Sequence, residues 1–151
     1  MYSVSLTGSD TIKIDDRILA DLADSDAATL TYVNELTAVK TGKNRNSIYA
    51  LNETGHQADL VIRVLRGSAD DKYLLNRLNN MSQDFARFVL ITGEFVKNVG
   101  DGAGNITSDT YLTSGGTFLR KVDAKSSAEG DTEQSVSIYT IRFANSDRTL
   151  G

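Results

Sequence analysis

Hydrophobic residues recur with a helical period in one segment of the chain. Ser68 and Asp71 stand at its start, where a serine N-cap followed by an acidic residue at the third helical position stabilises the first turn. The spacing of the apolar residues behind them predicts one amphipathic helix over about 68–84, packed on a flat partner. The residues of the apolar stripe are Leu74, Leu75, Leu78, Met81 and Phe85.

Most of the remaining sequence alternates apolar with polar residues and is rich in threonine, valine, isoleucine and tyrosine, which indicates β-strands. Turn-forming residues at 15–16, 24–26 and 42–46 separate the strands. Residues 16–23 fit a short helix or a strand, and we favour the strand. The predicted strands are 3–6, 11–14, 17–23, 28–34, 36–41, 47–51, 57–66, 87–97, 107–114, 117–124 and 133–143.

The predicted strands differ in how apolar their faces are. Segments 59–66 and 88–96 are dense in aliphatic and aromatic residues, so we expect them at the centre of the sheet beneath the helix. Segments 36–41 and 107–114 carry polar residues on both faces. A strand without an apolar face gains little by docking on a core. We therefore expect such strands to face water or to pair with other subunits.

The length, composition and net charge of the chain limit the class of protein. The 151 residues fit a single domain spanning 1–151, with 40% hydrophobic and 24% charged residues. Apolar runs such as 88–91 are too short to span a bilayer, and the first residues lack the features of a secretory signal, so folding in a cytoplasm is expected. The net charge of -4 argues against tight DNA binding. Proline is absent, which leaves strand edges open to pairing between chains.

Few residues are suited to catalysis or to metal binding. Cysteine is absent, which excludes disulfides, thiolate nucleophiles and cysteine-ligated metal sites, and a histidine-based triad or metal site would need the single histidine, His56, or another subunit. Glu94 is a conceivable acid or base, as are the pairs 15–16 and 70–71, but turn and capping roles account for both pairs. We expect no catalytic residue, no metal, no cofactor and no enzymatic activity.

The glycine-rich stretch 99–111, VGDGAGNITSDTY, has the composition of a nucleotide or calcium loop. Its glycines are spaced G-x-G-x-G before a strand-like segment, whereas a dinucleotide loop needs G-x-G-x-x-G before a helix. A calcium loop counted from Asp101 places Ala103 and Leu112 where oxygen ligands belong. We therefore predict a hairpin connection between strands 87–97 and 107–114.

Residues 40–47 concentrate three positive charges in an acidic chain. Two interpretations remain open at this point. The segment is either a solvated loop or an interaction loop, in which Lys43 and Arg45 meet acidic residues of a neighbouring copy such as Asp21, Asp24 and Asp26.

Long phrases of the sequence resemble the tail tube proteins of tailed bacteriophages, particularly those with contractile tails. They are VKTGKNRNSIYALNETG at 39–55, ADLVIRVLRGSADD at 58–71, GEFVKNVGDGAGN at 93–105 and EGDTEQS at 129–135. The resemblance runs along nearly the whole chain. Val33, where related chains often have proline, and Arg45, where they often have glycine, depart from it.

The resemblance implies a mainly β fold, a small β-sandwich or partly rolled antiparallel β-barrel with one flanking helix at about 68–84. It implies hexameric rings that stack into a hollow tube, through which phage DNA passes without tight binding. Sheath, baseplate and tail terminator proteins would be its partners, and it would lie in the virion tail after assembly in the host cytoplasm.

By the same analogy we expect contacts between subunits at the loop 40–47 and at the chain termini. An alternative is a soluble β-barrel module that binds a small ligand or glycan, but aromatic residues are sparse at 7% and tryptophan is absent. A hydrolase using paired carboxylates has no visible pair to use. The predicted contact residues are Tyr2, Asp24, Asp26, Lys40, Lys43, Asn44, Arg45, Asn46, Thr149 and Leu150.

Overall fold

The computed structural model describes residues 4–6, 10–23, 27–124 and 136–151. This part of the chain is mainly antiparallel β-structure with one α-helix, as the sequence predicts. The helix is α1 (Ala69–Gln83), and short 3-10 turns lie at Glu53–His56 and Phe85–Arg87. The strands are β1 (Ser5–Leu6), β2 (Thr11–Ile14), β3 (Arg17–Ile18), β4 (Ala28–Tyr32), β5 (Thr37–Thr41), β6 (Ser47–Leu51), β7 (Ala58–Leu65), β8 (Ile91–Gly100), β9 (Ile106–Phe118) and β10 (Val136–Leu150).

Eight of these strands form one partly rolled sheet that does not close into a barrel. Its order is β3-β2-β8-β9-β10-β7-β4, and β1 pairs with the far end of β8. Strand β10 is staggered, because residues 136–143 pair with β7 whereas 141–150 pair with β9. One face of the sheet, covered by α1, holds the core. The core residues are Ile12, Ile14, Leu19, Leu60, Ile62, Val64, Leu74, Leu78, Ile91, Phe118, Tyr139, Ile141 and Phe143.

The helix confirms its sequence signals except at Leu75, which was predicted to widen the apolar stripe but is exposed, and at Phe85. The Ser68 hydroxyl accepts a hydrogen bond from the Asp71 N–H at 3.2 Å, as an N-cap should. Leu74 and Leu78 are buried in the core. Phe85 was predicted to continue the apolar stripe, but it is 65% exposed. The reason is that α1 ends at Gln83, so Phe85 belongs to the following 3-10 turn and leaves the helical register.

The expectation for the centre of the sheet was wrong. The strand that is polar on both faces, β9, lies in the middle between β8 and β10, whereas β7 lies next to the edge. Two residues of the dense segment 88–96, Val89 and Leu90, are exposed ahead of β8. Phe143 of β10 explains why β9 can be central. Its ring packs so closely over Gly93 and Gly116 that a Cβ at Gly116 would lie 2.6 Å from it.

Several predicted strands have different bounds in the structure; the strand predicted at 133–143, for example, continues to Leu150 as β10. Segment 117–124 is not a separate strand, because β9 continues to Phe118 and 119–124 lie outside the strands. In segment 17–23 only β3 and a single bridge from Leu22 to Val64 are strand-like. The N–H groups of Ala20 and Asp21 donate instead to the Asp70 carboxylate, at 2.7 and 2.8 Å. A side chain thus replaces the partner strand there.

The glycine-rich stretch connects β8 to β9 as a hairpin, which confirms the prediction. The Asp101 carboxylate accepts hydrogen bonds from Ala103 N at 2.7 Å and from both nitrogens of Asn105. These bonds, that of the Asn105 side chain first, lower the pKa of Asp101. The carboxylate therefore stabilises the turn.

Two adjacent carboxylates fix α1 to the sheet. Asp70 is buried and also accepts a hydrogen bond from Arg17 Nε at 2.9 Å. Burial raises its pKa, but the N–H groups of Asp21 and Ala20 and the Arg17 guanidinium outweigh burial and leave the pKa lowered. Asp71 accepts a hydrogen bond from the buried Tyr139 hydroxyl at 2.6 Å, and burial is the first cause of the raised pKa of Tyr139.

We predict that Asp70→Asn lowers the free energy of unfolding by about 2–4 kcal/mol, because it leaves buried donors with a poorer acceptor. Asp84→Asn is the matched control, since Asp84 forms only an exposed ion pair with Arg87 and should change stability little. Urea unfolding measures both. The folded pKa of Asp70 is depressed, so its contribution is present above the ordinary value of 3.8 and is lost as the pH falls below it. The difference in the free energy of unfolding between wild type and Asp70→Asn should shrink as the pH falls through that range. A difference that stays constant with pH would contradict the role given to the Asp70 carboxylate.

Candidate assembly surface

Strands β5 and β6 form a separate two-stranded hairpin, residues 37–51, which we call the arm. Val39 pairs with Tyr49, and Lys40 pairs with Ile48. Because side chains alternate between faces, Val39, Tyr49 and Leu51 share one face while Lys40 and Ile48 share the other. Both faces of the arm therefore carry large apolar side chains.

The arm exposes these apolar side chains to solvent. All five residues of β5 are exposed. On β6, Ile48 is 72% exposed, Tyr49 76% and Leu51 60%. A contiguous group of exposed apolar residues is uncommon on a monomer and marks surfaces that bind other proteins. The arm is thus the strongest candidate for an assembly contact in the described part of the chain.

A tight turn at 42–46 closes the tip of the arm. Gly42 N donates to Asn46 O at 2.9 Å, and Arg45 N donates to Gly42 O at 3.1 Å. Arg45 has a φ of 64°, a left-handed conformation that glycine adopts more readily. Arg45 therefore places a positive charge at a position in the turn whose backbone conformation suits glycine. The turn brings together five predicted contact residues, all exposed: Lys40, Lys43, Asn44, Arg45 and Asn46.

A network of hydrogen bonds holds the base of the arm. The Asn52 side chain donates to the carbonyl oxygen of Glu35 at 2.9 Å, and Asn52 N donates to Leu36 O at 2.7 Å. Gly55 packs directly against this base, since a Cβ there would lie 2.7 Å from Leu36 Cα. The arm is thus fixed where it leaves the sheet, which reduces the entropy lost when it docks.

The remaining predicted contacts lie elsewhere. Thr149 and Leu150 are exposed at the end of β10, in register with Thr110 and Asp109. The neighbouring Arg148 forms a bidentate pair with Asp109 at 2.7 and 3.0 Å, and its hydrogen bond is the first cause of the lowered pKa of Asp109. Tyr2, Asp24 and Asp26 lie outside the described residues. Asp21, proposed as an acidic partner for the loop, is partly buried.

The edges of the large sheet offer a second kind of contact. Strand β4 forms one end of the strand order and β3 the other. Within the described ranges no strand pairs with the outer edge of β4. Such an edge presents free N–H and C=O groups to a strand of another chain.

The residues considered as candidate catalytic or metal-binding groups either have structural roles or lie apart from one another. The Asp71 carboxylate accepts a hydrogen bond from Gly67 N at 2.8 Å just ahead of α1, and Asp15 forms a turn and binds the hydroxyl of Tyr73 at 3.1 Å. His56 is partly buried at the end of a 3-10 turn. Over the described ranges, no three histidine or acidic side chains come together as metal ligands.

Comparison with solved structures identifies the fold. The chain matches a chain of the sheath–tube complex of an extracellular contractile injection system, PVC, with a TM-score of 0.56 and 9% identity, over 94% of this chain and 87% of that one. It matches a chain of the sheath/tube terminator of the same system with a TM-score of 0.56 and 10% identity, over 94% and 92%. The fold is that of contractile injection components. No protein-family model and no curated protein sequence matches the chain.

Both matched chains belong to contractile assemblies, so the resemblance noted in the sequence is supported at the level of fold. The structure also contains no helix, within the residues it describes, that is long and apolar enough to cross a membrane.

Sequence reasoning chose the charged tip of the arm and missed its apolar strands. The available signal was the placement of Ile48 and Tyr49 side by side in a short strand, which puts one apolar residue on each face. Such a strand leaves apolar side chains exposed unless other elements pack on both of its faces.

We predict that Gly55→Ala displaces the base of the arm, because its Cβ would meet backbone atoms of Leu36 and Glu35. The expected loss in the free energy of unfolding is about 1–3 kcal/mol, with faster tryptic cleavage at Lys40, Lys43 and Arg45. Gly42→Ala is the control, since its Cβ would meet only Asn46 O at 3.7 Å. Equal cleavage rates in the two variants would show that Gly55 does not hold the arm.

Proposed function

We propose that the protein is a non-enzymatic tube subunit that assembles with copies of itself into hexameric rings, which stack into a hollow tail tube. The tube would lie inside a sheath in a virion tail of the contractile type, and it would be assembled in the host cytoplasm. Baseplate and terminator proteins would bind its ends, and phage DNA would pass through its lumen.

The exposed arm is the observation that carries this proposal. Ile48, Tyr49 and Leu51 lie on strands that make no core in their own subunit. Burying each of these side chains against another subunit would contribute about 1.5–3 kcal/mol. In a monomer the apolar side chains of the arm stay exposed to water, whereas in a polymer every subunit would bury them against a neighbour.

The open edge of β4 and the arm are different surfaces, which supports a heterologous contact. In such a contact one patch meets a different patch of the next copy, and the chain of copies closes into a ring when the rotation allows it. The number of six subunits follows from the sequence resemblance. The fold shared with sheath–tube and terminator chains supports partners of the same kinds.

Passage of DNA is consistent with the charge of the chain. The net charge of -4 disfavours a strong grip on phosphates, so a nucleic acid would slide along a wall built of such subunits.

The direct test is negative-stain electron microscopy of the purified protein at rising concentration, together with sedimentation of the same samples. Six-fold rings or hollow tubes would support the proposal. Particles that stay at the mass of one chain at every concentration, also after addition of preformed tube ends, would contradict it.

We predict that Tyr49→Ser and Ile48→Ser leave the fold intact but abolish tubes, because each removes apolar area from the arm. Val89→Ser is the matched control, since Val89 is equally exposed at 73% but lies in the segment before β8. Circular dichroism checks the fold, and pelleting of polymer measures assembly. Normal pelleting of both arm variants would exclude the arm as the contact.

We predict that Arg45→Glu weakens assembly and that added salt weakens assembly of the wild type, because the tip of the arm is cationic. Arg87→Glu is the control for the same change in net charge, since its side chain is 90% exposed and away from the arm. Sedimentation at low and high salt measures both effects. An assembly that is indifferent to salt and to Arg45→Glu would leave the tip without an electrostatic role.

A further inference from the structure

A cationic depression lies on the face of the sheet opposite the core, between β7, β10 and the segment 120–124. Its volume is about 520 Å³. Among the residues that the structure describes, four cations and one carboxylate, that of Asp123, line it. The cations are Arg63, Arg66, Arg120 and Lys121. In a chain with a net charge of -4, this local excess of positive charge is a feature that the proposed tube contact does not use.

The floor of the depression is apolar. Val61, Val136 and Ile138 line it, and Ile138 of β10 lies directly opposite Arg63 of β7 in the strand register. Ile138 is 47% exposed. The site therefore combines an apolar surface with guanidinium groups at its rim, and the same combination recurs where proteins bind polypeptides.

Arg63 lacks the carboxylate that a neighbouring arginine has. On the same face of the sheet, Arg142 forms a bidentate pair with Asp59 at 2.8 and 3.0 Å. The Nε of Arg63, in contrast, is buried and has no hydrogen-bond partner among the described residues. An incoming carboxylate that pairs with the guanidinium of Arg63 would give it the kind of partner that Arg142 has in Asp59.

The carboxylate of Asp123 does not neutralise the described cations. Asp123 pairs with Arg120 at 2.9 Å, but both side chains are well exposed, at 82% and 64%, so the pair is weak. Arg66 donates to the carbonyl oxygens of Asp123 and Val136, at 3.3 and 3.2 Å, and is thereby held at the rim.

We propose that this depression binds an acidic segment of a partner protein, in which carboxylates alternate with apolar side chains. Carboxylates would pair with Arg63 and Lys121, and the apolar residues would cover Val61 and Ile138. A free phosphate would satisfy the cations but leave the apolar floor exposed, so the floor favours a polypeptide. The inference does not depend on the proposed tube.

The test uses a short fluorescein-labelled peptide that alternates glutamate with leucine, and a control peptide with glutamine in place of glutamate. Fluorescence anisotropy measures binding to the whole chain, at protein concentrations at which sedimentation finds it monomeric. We expect the acidic peptide to bind, the control peptide to bind at least about ten-fold more weakly, and added salt to weaken binding. Failure of the acidic peptide to bind would overturn the proposal.

Three variants locate the site. Arg63→Gln and Lys121→Gln should each weaken binding about ten-fold, and the exposed Lys121 tests the site should Arg63→Gln impair folding. Arg87→Gln changes the net charge equally but lies outside the depression, so it should bind like the wild type. Equal weakening in all three variants would indicate general electrostatic attraction and overturn the assignment.

Two further outcomes would assign the depression to another occupant. The first is displacement of the peptide by a low concentration of inorganic phosphate but not by a chloride salt of equal ionic strength. That result would make the depression a site for free oxyanions. A variant with Glu129→Gln, Asp131→Asn and Glu133→Gln that binds the peptide much more tightly than the wild type would show that carboxylates of the same chain compete for it. Either result would overturn the proposal of a partner protein.

Discussion

The staggered pairing of β10 is the constraint on which the rest of the structure depends. Its first half forms hydrogen bonds with β7 and its second half with β9, so these two neighbours are offset from each other along β10. This stagger places Tyr139, Ile141 and Phe143 across the core from α1 and β2. Tyr139 then binds Asp71 at the start of α1, which links the orientation of the helix to the register of the sheet.

The same arrangement leaves two surfaces exposed in the described part of the subunit. The arm rises from a base fixed by Asn52 and Gly55, and its apolar strands lie outside the core. On the opposite face of β7 and β10, Arg63 lies over an apolar floor without an acceptor for its Nε. The first surface suits copies of the chain, which bury apolar area against each other. The second suits a partner that brings carboxylates. Because they lie in different places, one subunit can use both at once.

Local sequence signals were reliable where a short segment decides its own structure. The N-cap at Ser68 and the turn at Asp101 follow from side chains that bond to nearby backbone, and the turn at 42–46 is closed by backbone bonds between near neighbours; all three are found. The predicted apolar stripe failed at Leu75, which is exposed, and at Phe85, which lies beyond the last turn. The exposure of 36–41 also followed from its lack of an apolar face.

The sequence by itself determined the helix, the turns, the mainly β class and the absence of an apolar face on β5. Only the tertiary structure decided that the polar strand β9 is central, because that depends on Phe143 reaching across to Gly93 and Gly116 from a distant part of the chain. Only it decided that Asp70 ends a strand by binding Ala20 and Asp21. Periodicity reports which face of a segment is apolar, whereas strand order and long-range hydrogen bonds depend on residues far apart in sequence, whose proximity no local pattern encodes.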